Sequence, residues 1–139
     1  MTTPIIAHAF RLGPGEDLLS ALDAYVTSQN LEAALVLSVV GSLERVHLRL
    51  ADQPEGTVFV GKHEIVSLVG TMSCSGGSHL HLSIADKNGN VIGGHLLLGN
   101  LVYTTAEIVL GALPALVFSR APDPRTGYDE LLISRPSKS

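Results

Sequence analysis

The chain has no tryptophan, and aromatic residues make up only 4% of its 139 positions. Without large rings, the core must be filled by Leu, Val, Ile and Ala. Cys74 is the only cysteine. It cannot close an internal disulfide, so the chain carries no mark of an oxidising compartment. Charge is also sparse, at 16% of residues with a net charge of −4. The nine Lys and Arg are scattered and nowhere cluster, whereas a domain that grips a phosphate backbone usually shows a basic stripe. Composition therefore argues against direct nucleic-acid binding by this domain alone, although an oligomer could still gather a local patch.

The opening residues, MTTPIIAHAFRL, lack a charged segment followed by a long apolar one, so no signal peptide is expected. The most apolar window, 101–118, is broken by Thr104, Thr105, Glu107 and Pro114 and does not read as a membrane span. The expectation is a soluble intracellular protein, cytoplasmic by default, with a nuclear location left open.

Against these absences stand a hydrophobic content of 45%, fourteen glycines and seven prolines. That length and composition suit one folded domain spanning 1–139, rich in turns and hence in strands. So small a domain cannot hide all its apolar residues, which points to burial against copies of itself.

Local patterning gives the elements. Residues 5–12 form a first strand, broken by Gly13-Pro14-Gly15. This turn precedes a helix and could bind an anion there, although a plain turn is the simpler reading. Glu16 and Asp17 suit a first helical turn. Leu18, Leu22, Tyr25 and Val26 recur at helical spacing, and the helix should end near Gln29-Asn30. Residues 33–40 form a buried strand closing on Gly41-Ser42, with a helical turn near Leu31 as competitor. The alternation of Val46, Leu48 and Leu50 with Arg45, His47 and Arg49 marks a half-exposed strand. Further strands are expected at 57–60, 64–72, 79–85, 91–98, 107–110, 115–119 and 128–133, followed by a polar, frayed tail at 134–139. The sum is an α+β domain with a mainly antiparallel sheet and one principal helix.

Chemistry concentrates at 79–95, HLHLSIADKNGNVIGGH. Residues two apart on a strand share a face, so His79 and His81 are neighbours about 7 Å apart along the backbone. Imidazoles at that spacing can converge on one divalent ion, although an HxH strand is also a common solvent-facing pattern. His95 lies on the returning strand of a hairpin signalled by Asn88-Gly89. With a two-residue turn it would face Leu82, on the wrong side of the sheet. A β-bulge at Gly93-Gly94 would restore the parity. A three-residue loop would do the same, setting His95 opposite Ser83 and diagonal to His81. Three neutral imidazoles suit Zn²⁺ and leave a position for a carboxylate, water or ligand.

Other residues are weaker candidates. Cys74 is close enough in sequence to approach the ion, though a buried free thiol is the simpler reading. Glu107, in an apolar strand, is a candidate partner for an imidazole or a member of a structural ion pair. Tyr103, with Thr104 and Thr105, could line a pocket or merely end a loop. His8, His47 and His63 stand alone and read as structural or exposed.

Taken in order, RLGPGEDL (11–18), VGSL (40–43), EIVSLVG (64–70), HLHLSIAD (79–86), GGHL (93–96) and VYTTAEIV (102–109) resemble the PPC domain, also called DUF296. This family occurs in prokaryotes and, joined to AT-hooks, in plant nuclear proteins. The pieces cover nearly the whole chain. The resemblance implies a PPC-like α+β fold assembled as a homotrimer. It also implies metal binding, zinc by preference, by His79, His81 and His95 near a subunit boundary. The sequence itself has no AT-hook core. Three functions follow as expectations. The first is a metal-binding trimeric module for a small ligand or protein partner. The second is a metal-dependent hydrolase or lyase assisted by Glu107 or Tyr103, and the third a DNA-associated regulator.

Overall fold

The computed structural model describes residues 1–137. In chain order the elements are β1 (Ile6–Leu12), α1 (Leu18–Ser28), β2 (Ala34–Arg49), β3 (Thr57–Ser73), β4 (Gly77–Ala85), β5 (Val91–Leu96), β6 (Leu101–Ala112), β7 (Val117–Asp123) and β8 (Tyr128–Ser134). Six strands form an antiparallel sheet in the order β1-β6-β2-β3-β4-β5, and β7 with β8 forms a separate ribbon. The tail expected to fray begins on the last residue of β8, and its final two positions lie outside the described residues.

The helix follows its sequence pattern closely. Leu18, Leu22 and Val26 fall one turn apart and are buried in the main core. Asp17 is the N-cap, its carboxylate accepting from Ser20 N–H at 2.9 Å. It therefore stands before the helix rather than in its first turn, because an extended backbone there lets the short side chain reach back. Asn30, at φ 51°, closes the other end. Its N–H donates to Thr27, while Leu31 N–H donates to Val26. This is the left-handed C-terminal motif that asparagine tolerates, and it replaces the alternative of a further helical turn at Leu31. The Gly13-Pro14-Gly15 segment is a turn held by Gly13 N–H to Glu16 and Gly15 N–H to Val102. Asp17 occupies the helix N-terminus, so an anion has no place there.

Two pairs of expected strands are each one strand. Residues 33–40 and 45–50 join in β2, and residues 57–60 and 64–72 join in β3. Gly41, which suggested the first break, is a bend within one strand. At Gly41 a Cβ would run into the Thr105 carbonyl, and the β2–β6 register shifts just beyond it. Such bulges let long strands coil without losing their pairing.

That coiling closes the sheet. The end of β2 pairs on both edges, Leu48 with Thr57 of β3 and with Leu96 of β5. Strands β2, β3, β4 and β5 thus return on themselves around Val46, Leu48, Leu82, Ile84 and Leu96, all buried. The side chains between these point outward, and the histidines belong to that outer face.

Candidate metal centre

Alternation along β4 places the first two histidines. Leu80, Leu82 and Ile84 are at most 2% exposed, so His79, His81 and Ser83 must face out. On β5 the buried residue is Leu96, which turns His95 outward.

The parity problem is solved in the loop. Asp86 N–H donates to Asn90 and Gly89 N–H donates to Asp86, enclosing the three residues Lys87, Asn88 and Gly89. Gly89 takes φ 79°, the left-handed residue of a three-residue hairpin. The Asp86 carboxylate accepts from the N–H groups of Asn88 and Asn90 at 2.8 and 3.0 Å, which holds it below the usual carboxylate range. The loop is odd, as required, but centred on Asn88. His95 consequently stands directly opposite His81, not opposite Ser83.

No bulge forms at Gly93-Gly94, since the β4–β5 register runs unbroken from His81–His95 to Ala85–Val91. The glycines serve a different purpose. A Cβ on Gly94 would lie 2.6 Å from the Arg49 carbonyl oxygen, and one on Gly93 would lie 2.9 Å from that of Leu82. Small residues here let β5 fit between β4 and β2 and close the ring. Gly94→Ala is expected to force these strands apart and lower stability by roughly 1–3 kcal/mol, the usual range for overpacking. Chemical denaturation measures the loss, and an unchanged midpoint would contradict it.

The three rings converge. Their centroids are 5.0 Å apart for His79–His81, 5.3 Å for His79–His95 and 5.8 Å for His81–His95. One ring nitrogen from each lies within 4.8 Å of the others, and Nε2 of His79 and of His81 are 3.2 Å apart. Zn–N bonds of 2.0–2.1 Å in a tetrahedron put nitrogens about 3.4 Å apart, so the His79–His81 spacing already matches.

Protonation favours the same chemistry. Partial burial lowers the His79 pKa below its ordinary 6.5, with further lowering by His81, Arg120 and Arg49 against an opposing effect of Glu130. His95 is lowered first by burial, then by Arg49, His79 and His81. Neutral imidazoles keep lone pairs available to a metal. Three such nitrogens fit a borderline divalent ion, which when bound would supply Lewis acidity.

Clefts open on both sides of the triad. One, of about 480 Å³, is lined by Arg49, Ser67, Val69 and the three histidines. The other, of about 510 Å³, is lined by Arg49, His79, His95, Arg120, Tyr128 and Glu130. Arg49 is the register partner of His95, and Arg120 donates to Thr71 Oγ1 at 3.4 Å beside His79. Sequence reasoning passed over both arginines. Alternation marked Arg49 as exposed but not as a neighbour of His95, and nothing local tied Arg120 on β7 to β4.

The other candidates lie elsewhere. Glu107 pairs with Arg11 and with Val40, up to about 30 Å back along β2 from Arg49 at strand spacing. The Lys62 ammonium sits 4.5 Å over the Tyr103 ring. The Cys74 thiol contacts Asn30 at 3.6 Å and packs against the main core. None of the three lines either cleft. The assignment of Glu107, Tyr103 and Cys74 to this site is therefore corrected. Both Glu107 and Tyr103 ride on β6, which pairs with β2 well before the segment that meets β5. His8, His47 and His63 bond instead to Tyr25, the Leu98 carbonyl and the Gly61 carbonyl.

The model of the Plants and Prokaryotes Conserved (PCC) domain matches residues 2–114. The chain belongs to this family. It is the family expected from the sequence, known also as PPC. A bifunctional protein GlmU of Synechococcus sp. (strain JA-3-3Ab) is 48% identical over 96% of this chain. AT-hook motif nuclear-localized protein 8 of Arabidopsis thaliana is 30% identical over 78%. The chain spans only 21% and 30% of those two proteins' lengths. Among solved structures, a hypothetical protein from Salmonella enterica superposes with a TM-score of 0.95 at 44% identity, covering 97% of each chain. A metal-containing protein from Archaeoglobus fulgidus superposes with a TM-score of 0.82 at 24% identity, covering 94% of this chain and 96% of that one. These likenesses agree with the mainly antiparallel sheet and single helix of this PCC domain. Among the described residues, no helix is long and apolar enough to cross a membrane.

Proposed function

We propose that this PCC domain is a metal-binding module in which His79, His81 and His95 hold one divalent ion, zinc by preference, that takes a small ligand or partner group. The observation that carries this reading is the convergence of three ring nitrogens within 4.8 Å on the outer face of the sheet. The metal-containing Archaeoglobus protein with the same fold supports it. The domain works as a homotrimer in this reading. Support comes from outward apolar side chains with no cover in the monomer, including Val60 at 83% exposure and Tyr128 at 74%. Metal analysis of the purified protein, paired with sedimentation, tests both parts. One equivalent per chain and a threefold mass are expected; metal-free protein sinks the first and a monomer the second.

Acid should release the ion. His79 and His95 bind protons less readily folded than unfolded, because their pKa values fall below 6.5. The unfolded chain therefore takes up more protons as pH drops. Stability present above pH 6.5 is lost as pH falls from there towards the depressed folded values, and protons compete for the same lone pairs. The melting temperature of metal-free protein should decline over that window, with loaded protein losing its ion in parallel. A flat profile would count against the assignment.

A DNA-associated role is the second reading. The kinship with a plant protein named for its AT-hook motif favours it, and that kinship runs against the expectation drawn from composition. The domain's own charge is −4, so contact would require a patch gathered by assembly. Duplex binding that weakens steeply with salt supports this reading; no binding at low salt removes it.

A further inference from the structure

We propose that Arg49 and Arg120 form, with the histidine triad, a cradle for the oxyanion end of a small molecule, a carboxylate or a phosphate. The inference rests on the metal reading above and names the ligand class. Its starting point is a charge imbalance. All three candidate metal ligands are neutral, so a divalent ion would bring two uncompensated positive charges. Two more cations stand at the same place. Arg49 is the strand partner of His95, and Arg120 reaches Thr71, the strand partner of His79. Neither arginine is spent on a carboxylate, since the ion pair among the described residues is Asp123 with Arg125.

Guanidinium groups next to a cation site weaken it unless an anion comes between. An oxyanion does so naturally. One oxygen can reach the ion while others take the paired N–H donors of the guanidinium fork, which match carboxylate and phosphate geometry. The cleft of about 510 Å³ between β2, β4, β7 and β8 has the size for the rest of a metabolite-sized ligand. Asp129 and Glu130 line the same cleft. A ligand that is neutral or cationic away from its oxyanion therefore fits better than one negative throughout.

Gly76 makes this arrangement possible. A Cβ there would lie 2.6 Å from the Phe118 carbonyl oxygen, so only a bare backbone lets β7 come close enough to bring Arg120 to the triad.

The test titrates cobalt-loaded wild-type protein and the Arg49→Met and Arg120→Met variants with inorganic phosphate and with acetate, reading the cobalt visible spectrum. Methionine keeps an apolar stem, and melting temperature checks each fold. At least one anion should shift the wild-type spectrum, with its affinity reduced on the order of tenfold in each variant. Metal affinity should stay level or rise in both variants, because a repelling charge has gone. A purely structural role for the arginines would not separate the two affinities this way. If the protein holds cobalt but neither anion binds, or both bind equally in wild type and variants, the cradle is wrong and the metal reading survives. If it holds no metal, the metal reading fails. Calorimetry with phosphate on the metal-free protein then decides the cradle: arginine-dependent binding keeps it, and absent or arginine-independent binding overturns it.

Discussion

Alanine at position 81 is expected to remove stoichiometric metal from the purified protein, lowering affinity by more than about a hundredfold. His81 is the hinge of the triad: its Nε2 lies 3.2 Å from that of His79, and it faces His95 directly across the β4–β5 ladder. Losing it leaves two nitrogens on different strands and no tetrahedral face. Removing groups that only orient ligands already lowers affinity by about 10–100-fold, so removing a ligand should do more. The side chain is exposed while its neighbours Leu80 and Leu82 fill the core, so the fold should persist. His63→Ala is the matched control, since that ring bonds only to the Gly61 carbonyl two residues away. Full metal retention in the His81 variant, or equal loss in the control, would reject the site.

The second large effect concerns Asn100, which holds the turn after the histidine strand. It is fully buried. Its amide donates to the carbonyls of Leu97 at 2.6 Å and His47 at 3.0 Å, and its carbonyl accepts from His47 N–H at 2.9 Å. Its own N–H donates to the Asp17 carboxylate, which also caps the helix. The side chain thus ties β2 to the β5–β6 turn, and the backbone of the same residue joins them to the helix start. Asn100→Leu keeps the volume but strands two half-buried backbone groups, His47 N–H and the Leu97 carbonyl, each worth about 1–3 kcal/mol when unpaired. The His47 carbonyl keeps its bond from Leu97 N–H. Allowing for relaxation, the loss should be about 3–5 kcal/mol, a large share of the roughly 5–15 kcal/mol typical of a domain. Thermal unfolding should show a drop on the order of 10–20 °C. A shift of only a few degrees would mean water replaces the amide.

Asn100 shows why part of the fold was hidden in the sequence. In GNLVY it reads as an ordinary turn residue, and its partners at 17 and 47 are remote in the chain. Gly93-Gly94 misled in the opposite direction. The pair looked like a bulge correcting local parity, yet its role is to admit the backbones of β2 and β4. The bend at Gly41 in β2 likewise reads as a strand end because glycine marks both.

The features legible in advance share a short range. Leu18, Leu22 and Val26 announce a helix because 3.6 residues make a turn, and Asn30 ends it through its tolerance of left-handed backbone. His79 and His81 share an outward face because Leu80 and Leu82 must be inward. A bulge or an odd loop was required for His95 to join them, and the chain supplies the loop.

Everything beyond that reach belongs to pairing across the closed sheet. Which residue faces His95 and how Arg49 comes beside it were settled when β5 docked between β4 and β2. Arg120 arrives with β7 instead, and Glu107, Tyr103 and Cys74 stand apart on other segments. A strand's sequence sets which way each side chain points. Its neighbour across the ladder depends on register, and register here follows from loop geometry and ring closure.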